Sequence, residues 1–467
     1  MKFEGFCGPW YATQGYAADS QRLVNYYPEA VESGAGKNDI VLRGTPGLVP
    51  FATLPAGPVR SLLSAGSPLN GAPRLFAVGG HLSCEVSSSG TVTTLGVVYT
   101  DATNTPAQQE LNGNQLFIVS AGQATINNGG GPTSTGLPTA RTGCYIDGYF
   151  IVQRPDSRQF DISHLEDGTT WDPLDFGIKG SYPDHIGSIL ADHQNLFLFG
   201  ESTTEQWQHT GAPDFPFERN NSGSIHQGIA APWSACRLMN GVGWLGEDTR
   251  GKLVAWFMRG ATPQRVSNYA IENQWNVGSV FDAISFPQVV DGHHFWWITL
   301  PTLNKTFIWD ATTGWWHERA YWNGTSLERH RARCHCYCFG RHLVGDHTTG
   351  VIYEMTDSAV TDNGAAIQRI RQAPHVTNEE KRIFHHELRL DTVTLTNANP
   401  TFYMQYSKDN GANWSTEVPL AGDPGFKHPR SWRRLGSGRD RIYSVRTDVA
   451  ALPTVINAFL DLTPGTD

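Results

Sequence analysis

Phe160-Asp161-Ile162-Ser163, Asp167-Gly168-Thr169-Thr170-Trp171 and Asp172-Pro173-Leu174-Asp175-Phe176 follow one another as a short strand, an Asp-Gly turn and a returning strand with a tryptophan at its start. Two other stretches repeat the unit: Trp309-Asp310-Ala311-Thr312-Thr313-Gly314-Trp315 and Ser407-Lys408-Asp409-Asn410-Gly411-Ala412-Asn413-Trp414. In each, glycine supplies the positive φ of a tight turn and an Asp or Asn side chain bonds the turn backbone. The tryptophan is expected to pack across its hairpin. A recurrent turn-plus-tryptophan unit points to a radially repeated sheet, a β-propeller.

Outward from these turns, short apolar runs recur. They are Arg74 to Gly80, Gln115 to Ser120, Tyr149 to Gln153, Asn195 to Gly200, Val242 to Gly246, His294 to Ile298 and Arg341 to Gly345. Each precedes a turn and a second strand, and their starts lie roughly 35 to 50 residues apart, the length of a four-stranded blade. The expected fold class is therefore all-β, with a six- to seven-bladed β-propeller over 51–372 that an extended N-terminal segment, 1–50, joins. The best helical candidate is a short one, Val280 to Ser285, and the long helices of a βαβ fold are missing. Past Gln372-Ala373-Pro374 the rhythm changes. Phe384 to Leu390, Thr401 to Tyr406, Arg441 to Arg446 and Val455 to Leu460 alternate like strands with one buried face, so 373–467 is expected to form a C-terminal β-sandwich-like domain.

The bulk numbers agree. A chain of 467 residues exceeds one compact core. Charged content of 17%, with Gly 49, Pro 27 and Trp 15, fits a turn-rich all-β protein. A net charge of -9 argues against a protein that coats nucleic acid, yet suits a wall past which a polyanion slides. No apolar run reaches the length of a membrane span, so no membrane insertion is expected, and no secretory signal is evident at the N-terminus. Cys 7 is an odd count without framework spacing, as expected for reduced thiols in a protein made in cytoplasm.

Several clusters carry possible chemistry. Cys334, Cys336 and Cys338 share one face of a strand, near His330, His342 and His347, but without the C-x-x-C knuckle of structural zinc sites. Core packing is the favoured reading; no metal and no cofactor is assigned, and no catalytic residue. The span Lys427 to Arg446 holds Lys427, Arg430, Arg433, Arg434, Arg439, Arg441 and Arg446 against one acid, Asp440. A phosphate-contacting strip, an inter-subunit surface and a solvated face are all open readings. Asp161, Asp167, Asp172 and Asp175 lack calcium-loop spacing and are explained by turn bonding. Ser407 to Trp414 resembles the Asp-box of sialidase-like propellers, which is a turn staple. A sialidase-like enzyme would need Arg60, Arg154, Arg237, Tyr269 and Glu272 to converge, and a lectin would need Trp296, Trp297, Trp315 or Trp316 exposed. A glycan-binding or sialidase-like propeller is the alternative function.

A family resemblance enters through an ordered set of strings. These are Asn25-Tyr26-Tyr27-Pro28, Gly44-Thr45-Pro46-Gly47-Leu48, Asp161-Ile162-Ser163 leading to Asp175-Phe176, Glu201-Ser202-Thr203-Thr204-Glu205-Gln206-Trp207, Phe217-Glu218-Arg219 followed by Gln227-Gly228, and Arg433-Arg434-Leu435-Gly436. Over most of its length the chain resembles the packaged-DNA-stabilising tail hub (nozzle) family of short-tailed bacteriophages, the P22-like group. The Cys-x-Cys-x-Cys strip and the Asp-box-like hairpin depart from that pattern. The resemblance implies a structural virion-tail protein and not an enzyme, made in the bacterial host cytoplasm. It implies a ring of about six copies of itself below the portal adaptor (head-to-tail connector) protein. Such a ring extends and closes the DNA channel with a tail needle or plug, docks a tailspike or fibre, and touches passing dsDNA transiently and without sequence preference.

Overall fold

The computed structural model describes residues 1–33, 36–65, 73–213, 215–220, 225–247, 251–393, 401–421 and 430–465. Among them, seven antiparallel blades surround one axis. Blade 1 is Val59–Ala65, Arg74–Gly79, Leu82–Val86 and Val92–Val97; blade 2 is Gln108–Leu111, Leu116–Ser120 and Gln123–Asn127. Blade 3 is Thr142–Ile146, Tyr149–Gln153, Gln159–Ile162 and Phe176–Ile178; blade 4 is Ile186–Asp192, Asn195–Gly200, Thr204–His209 and Phe217–Arg219. Blade 5 is Cys236–Leu238, Gly241–Glu247, Leu253–Met258 and Pro263–Arg265; blade 6 is Ile284–Val290, His293–Leu300, Lys305–Asp310 and Trp315–Trp322. Blade 7 takes Ala332–Cys338, Arg341–Asp346 and Val351–Thr356 from one part of the chain, and its outermost strand, Gly47–Thr53, from near the other end. That pairing closes the ring. Gly47 is needed there, since a Cβ would lie 2.3 Å from the Thr361 carbonyl oxygen.

The apolar runs of the sequence are the second strands of the blades. They read as continuous rather than alternating because each blade is packed on both faces. In Leu116–Ser120, Leu116 and Ile118 face blade 1, while Phe117 and Val119 face blade 3. In Asn195–Gly200, Leu196 and Leu198 face blade 3, while Phe197 and Phe199 face Trp244 and Met258 of blade 5.

Three local expectations change. The helix lies at Tyr269–Trp275, where the Asn268 side chain caps it by accepting from Ile271 N at 2.9 Å; Val280 to Ser285 is a turn running into a strand. Trp171 does not pack across its own hairpin: its ring stacks 6.0 Å from Phe117 of blade 2, and its indole donates to the Gly168 carbonyl. The third turn unit, at Ser407 to Trp414, is not in the propeller. It links Phe402–Ser407 to Val418–Leu420 of the second domain, with Asp409 accepting from Asn413 N at 2.9 Å and from Ser407 Oγ at 2.7 Å. Such staples close any hairpin, so the motif marks turns and not blades.

The C-terminal sandwich has two sheets. One is ordered Tyr26–Ala30, Ile40–Gly44, Thr454–Pro464, Ile383–Thr392, Arg430–Gly438. The other contains Ser20–Val24, Arg369–Gln372, Asp440–Thr447, Phe402–Ser407 and Val418–Leu420. Residues of the N-terminal segment thus contribute a strand to the propeller and strands to both sandwich sheets. Ser20–Val24 pairs antiparallel with Arg369–Gln372 and, at Val24, parallel with Glu318 of blade 6. One twelve-stranded sheet therefore runs from the propeller into the sandwich.

Charged groups fix this seam. Glu318 is buried and takes Arg22 at 2.9 Å and Lys305 at 3.1 Å. Burial opposes its ionisation, but the two cations outweigh burial and hold the carboxyl at about 2. Arg371 donates to the carbonyls of Gly5, Phe6 and Pro9, tying down the chain ahead of the strand. Buried Asn25 reaches the Ala320 carbonyl at 2.9 Å and the Gln368 carbonyl at 2.8 Å.

A second set of polar contacts joins blades 3 and 4. Lys179, fully buried, donates to Asp184 and, at 2.6 Å, to Thr203 Oγ. Asp184 also accepts from Ser202 N and Thr203 N at 2.8 and 3.0 Å. Glu205 accepts from Gly180 N, Ser181 N and Trp207 Nε1. A Cβ at Gly228 would lie 2.2 Å from the Glu201 carbonyl oxygen, so only glycine fits there.

Two stability predictions result. Because Glu318 is held below the ordinary carboxylate range, its contribution is complete above pH ~4.3 and declines as pH falls towards 2. Glu318→Gln should lower stability at pH 7 by about 3 kcal/mol. The gap from the parent protein should narrow across that acid window, as read by calorimetry; equal melting at pH 7 would assign the seam to apolar packing alone. Lys179→Met leaves Asp184 buried without its cation and should cost about 3–5 kcal/mol, with hydrogen exchange rising first in blades 3 and 4.

Candidate assembly surface

The run of basic residues does not become one patch, because the chain changes sheets inside it. Arg430–Gly438 is the outer strand of one sandwich sheet and Asp440–Thr447 is an inner strand of the other. Arg441, on the inner strand, is fully buried. It donates to the carbonyls of Leu435 at 2.8 Å and Ser437 at 3.1 Å and lies 4.3 Å from the Tyr406 ring centre. Arg430 is buried 4.8 Å over the Phe402 ring, and burial lowers its pKa. Arg446 pairs with Glu417 through two bonds of 2.5 and 2.6 Å and covers Tyr403. These three side chains hold the sandwich together.

Arg433, Arg434 and Arg439 are exposed. Arg433 is 75% exposed and sits 3.6 Å from Glu387. Arg434 has φ +59 at a bulge opposite His385 and Glu387, and makes no ion pair among the described residues. Arg439 stands at the crossover between sheets and donates to the Glu380 carbonyl. Lys427 lies outside the described residues. The structure thus leaves a small basic cluster along an outer strand; charged side chains at such a position block indiscriminate strand pairing.

The other candidates are dispersed. Cys336 and Cys338 pack with Cys84 in the core between blades 7 and 1, where Cys334 joins them at the margin. Burial pushes the Cys334 thiol up to about 12. His335 and His342 contact one another at 3.1 Å, His330 packs 5.1 Å from Trp297, and His347 lies beside Arg329. Among the described residues no three His, Cys, Asp or Glu side chains gather as a metal would require. Asp161 pairs with Arg154 and Asp167 bonds Thr169 and Thr170, so these carboxylates are spent on turns.

The residues a sialidase-like site would require do not converge. Arg60 is buried on the carbonyls of Gly80, Tyr99 and Thr105, and Arg154 pairs with Asp161 in blade 3. Arg237 donates to the Ala191 carbonyl, while Glu272 on the helix is paired with Arg265 at 2.6 Å. Trp296, Trp297 and Trp316 are buried in blade packing and are not available to stack sugars. The seam pair Arg22–Glu318 and the latch Lys179–Asp184 gave no sequence signal beyond lying in or beside predicted strands.

Among solved structures, the fold resembles the extracellular domain of the hybrid two-component system BT4673 from B. thetaiotaomicron, with 9% identity and a TM-score of 0.45. That alignment covers 67% of this chain and 40% of the other, so this chain spans less than half of that protein's length. It also resembles streptogramin B lyase, with 10% identity, a TM-score of 0.44 and coverage of 66% and 97%. The N-terminal domain of Nup159 aligns with 7% identity, a TM-score of 0.41 and coverage of 74% and 99%. No curated protein matches the chain. Family models are decisive where these structures are not: residues 13–360 match the model described as Bacteriophage P22 Gp10, beta-propeller, and residues 368–462 match Bacteriophage P22 Gp10, beta-sandwich. With both domains matched in order over nearly the whole chain, this protein belongs to the bacteriophage P22 Gp10 family and is a structural protein of the phage tail.

Proposed function

We propose that this tail protein is a hub, or nozzle, that assembles as a ring below the portal adaptor. In this reading it extends the DNA channel, closes it with a tail needle or plug, retains packaged DNA and docks tailspikes or fibres. The carrying observation is the twelve-stranded sheet that runs from blade 6 into the sandwich. Two domains joined through a shared sheet and a buried Glu318 pair act as one stiff unit, which a closed ring under pressure from packaged DNA requires.

Charge supports the same reading. The chain carries -9, so its copies present acidic surface to each other. The exposed Arg433, Arg434 and Arg439 offer the complementary cations to a neighbour or to the adaptor. An acidic wall lets duplex DNA pass with transient, non-specific contact. No helix among the described residues is long and apolar enough to cross a membrane.

The test is co-sedimentation of the purified protein with portal–adaptor complexes from DNA-filled particles, counting bound copies by mass. About six copies per particle, with reduced DNA leakage, is the expected result. Absence of binding sends the protein to glycan arrays and hydrolysis assays. The double variant Arg433→Glu, Arg434→Glu should fold with unchanged circular dichroism yet reduce ring assembly at least tenfold. Normal rings from that variant would remove the outer strand from the assembly interface.

A further inference from the structure

The innermost strands of the blades all start at one end of the propeller axis, and a cavity of about 500 Å³ opens there. It draws its lining from residues at or just before the starts of the inner strands of blades 1, 2, 5, 6 and 7. Pro58, Pro106, Trp233, Phe281, Ile284 and Pro301 form its apolar wall, and threonines, Asn104 and charged groups form the rest. Phe281 is 60% exposed.

Set against these walls are guanidinium groups without carboxylate partners. Arg333 lines the cavity and is 8% exposed. Its Nη2 donates to the Asn104 carbonyl, and its Nε is buried with no hydrogen-bond partner. Arg329, also on the cavity, donates to His347 Nδ1 at 3.2 Å and feels the charges of Asp282 and Glu328 without bonding either. Arg60 stands close behind and donates to the backbone carbonyls of Thr105, Gly80 and Tyr99. None of the three forms an ion pair among the described residues. Burial lowers the pKa of Arg60 and Arg333 to about 10, a cost that a bound anion would relieve. His347 is held neutral by burial and by Arg329, at about 4, and adds no charge at pH 7. The lining acid Asp282 accepts from Thr302 N and Oγ at 2.9 and 2.8 Å through Oδ2, and its Oδ1 is buried without a hydrogen-bond partner among the described residues.

We propose that this axial mouth binds a carboxylate carried on an apolar stem, with Arg333 and Arg329 holding the carboxylate and Trp233 and Phe281 packing the stem. Trp233 and Phe281 beside the two arginines favour a ligand with an apolar stem over a bare phosphate, which would leave those rings unused. Two sources share the proposed chemistry, a free organic acid and an acidic side chain on a loop of a partner protein. The inference stands apart from the ring assembly proposed above, because it concerns one propeller in isolation.

Titration calorimetry and tryptophan fluorescence of the full chain test it, using phenylacetate, a capped Phe-Glu dipeptide amide and inorganic phosphate. Phenylacetate should bind saturably and quench or shift the Trp233 emission. Arg333→Met should weaken it at least tenfold. Because Arg333 is buried, Phe281→Ala serves as a second variant on an exposed position and should also weaken binding several-fold without lowering the melting temperature. Stronger binding of the capped dipeptide than of phenylacetate would assign the site to a partner loop, and the reverse to a free acid; either supports the carboxylate site. No binding of phenylacetate or dipeptide, or tighter binding of phosphate that Phe281→Ala leaves unchanged, overturns it.

Discussion

The structure depends on one strand, Ser20–Val24, having both of its edges satisfied. On one side it bonds Arg369–Gln372 and on the other it meets blade 6 at Glu318. Without it, the outer strand of blade 6 and the strand that enters the sandwich would both present unpaired backbone groups. Arg22 on the same strand supplies the cation that keeps the buried Glu318 ionised. Asn25 then turns the chain at φ +53, so that Tyr26–Ala30 enters the opposite sandwich sheet. Within three more strands the chain has closed the propeller through Gly47–Thr53. One N-terminal stretch therefore fixes the sandwich, the seam and the ring.

That economy has a functional meaning for a tail component. In a propeller closed only by its own blades, a second domain is free to swing on its linker. Here the apolar core is continuous across the seam, with Trp275, Trp309 and Trp316 of the blade 5–6 region in the same cluster as Phe402, Trp432 and Tyr443 of the sandwich. Relative motion of the domains would have to break that core and expose the Glu318 pair. A subunit built this way has no hinge to absorb force, as the proposed ring around packaged DNA would require.

Much of this was legible in the sequence, for physical reasons that also set the limits. The second strand of every blade could be read because packing on both faces makes it continuously apolar, as at Leu116–Ser120. The ordered strings that carried the family resemblance proved to be the seam, the closure and the blade latch: Asn25, Gly47, Glu205 and Gly228 are each required by a close backbone approach or a buried hydrogen bond. What could not be read was long-range pairing. Nothing local in Tyr26–Ala30 says that it belongs to a sheet with Thr454–Pro464, over four hundred positions away. The basic run misled for the same reason: the sheet change at Arg439 sends Arg433 to solvent and Arg441 to the core, and a linear charge count cannot see it.

The fate of the arginines also shows how the loops are held. Arg60, Arg369, Arg371 and Arg441 are among the largest fully buried side chains of the molecule. They bind backbone carbonyls, such as those of Tyr99, Thr45, Gly5 and Leu435, and the planar fork of the guanidinium lets one side chain satisfy several loop carbonyls at once. Lysine, with a compact ammonium, would not span these loops. Buried carboxylates such as Asp184, Glu205, Glu318 and Asp346 offset these interior cations, so the surface keeps the acidic balance of the formal -9. On a chain of net negative charge the three exposed arginines, Arg433, Arg434 and Arg439, make a distinct positive feature, and in the proposed ring the acidic surface of a neighbouring copy would complement it.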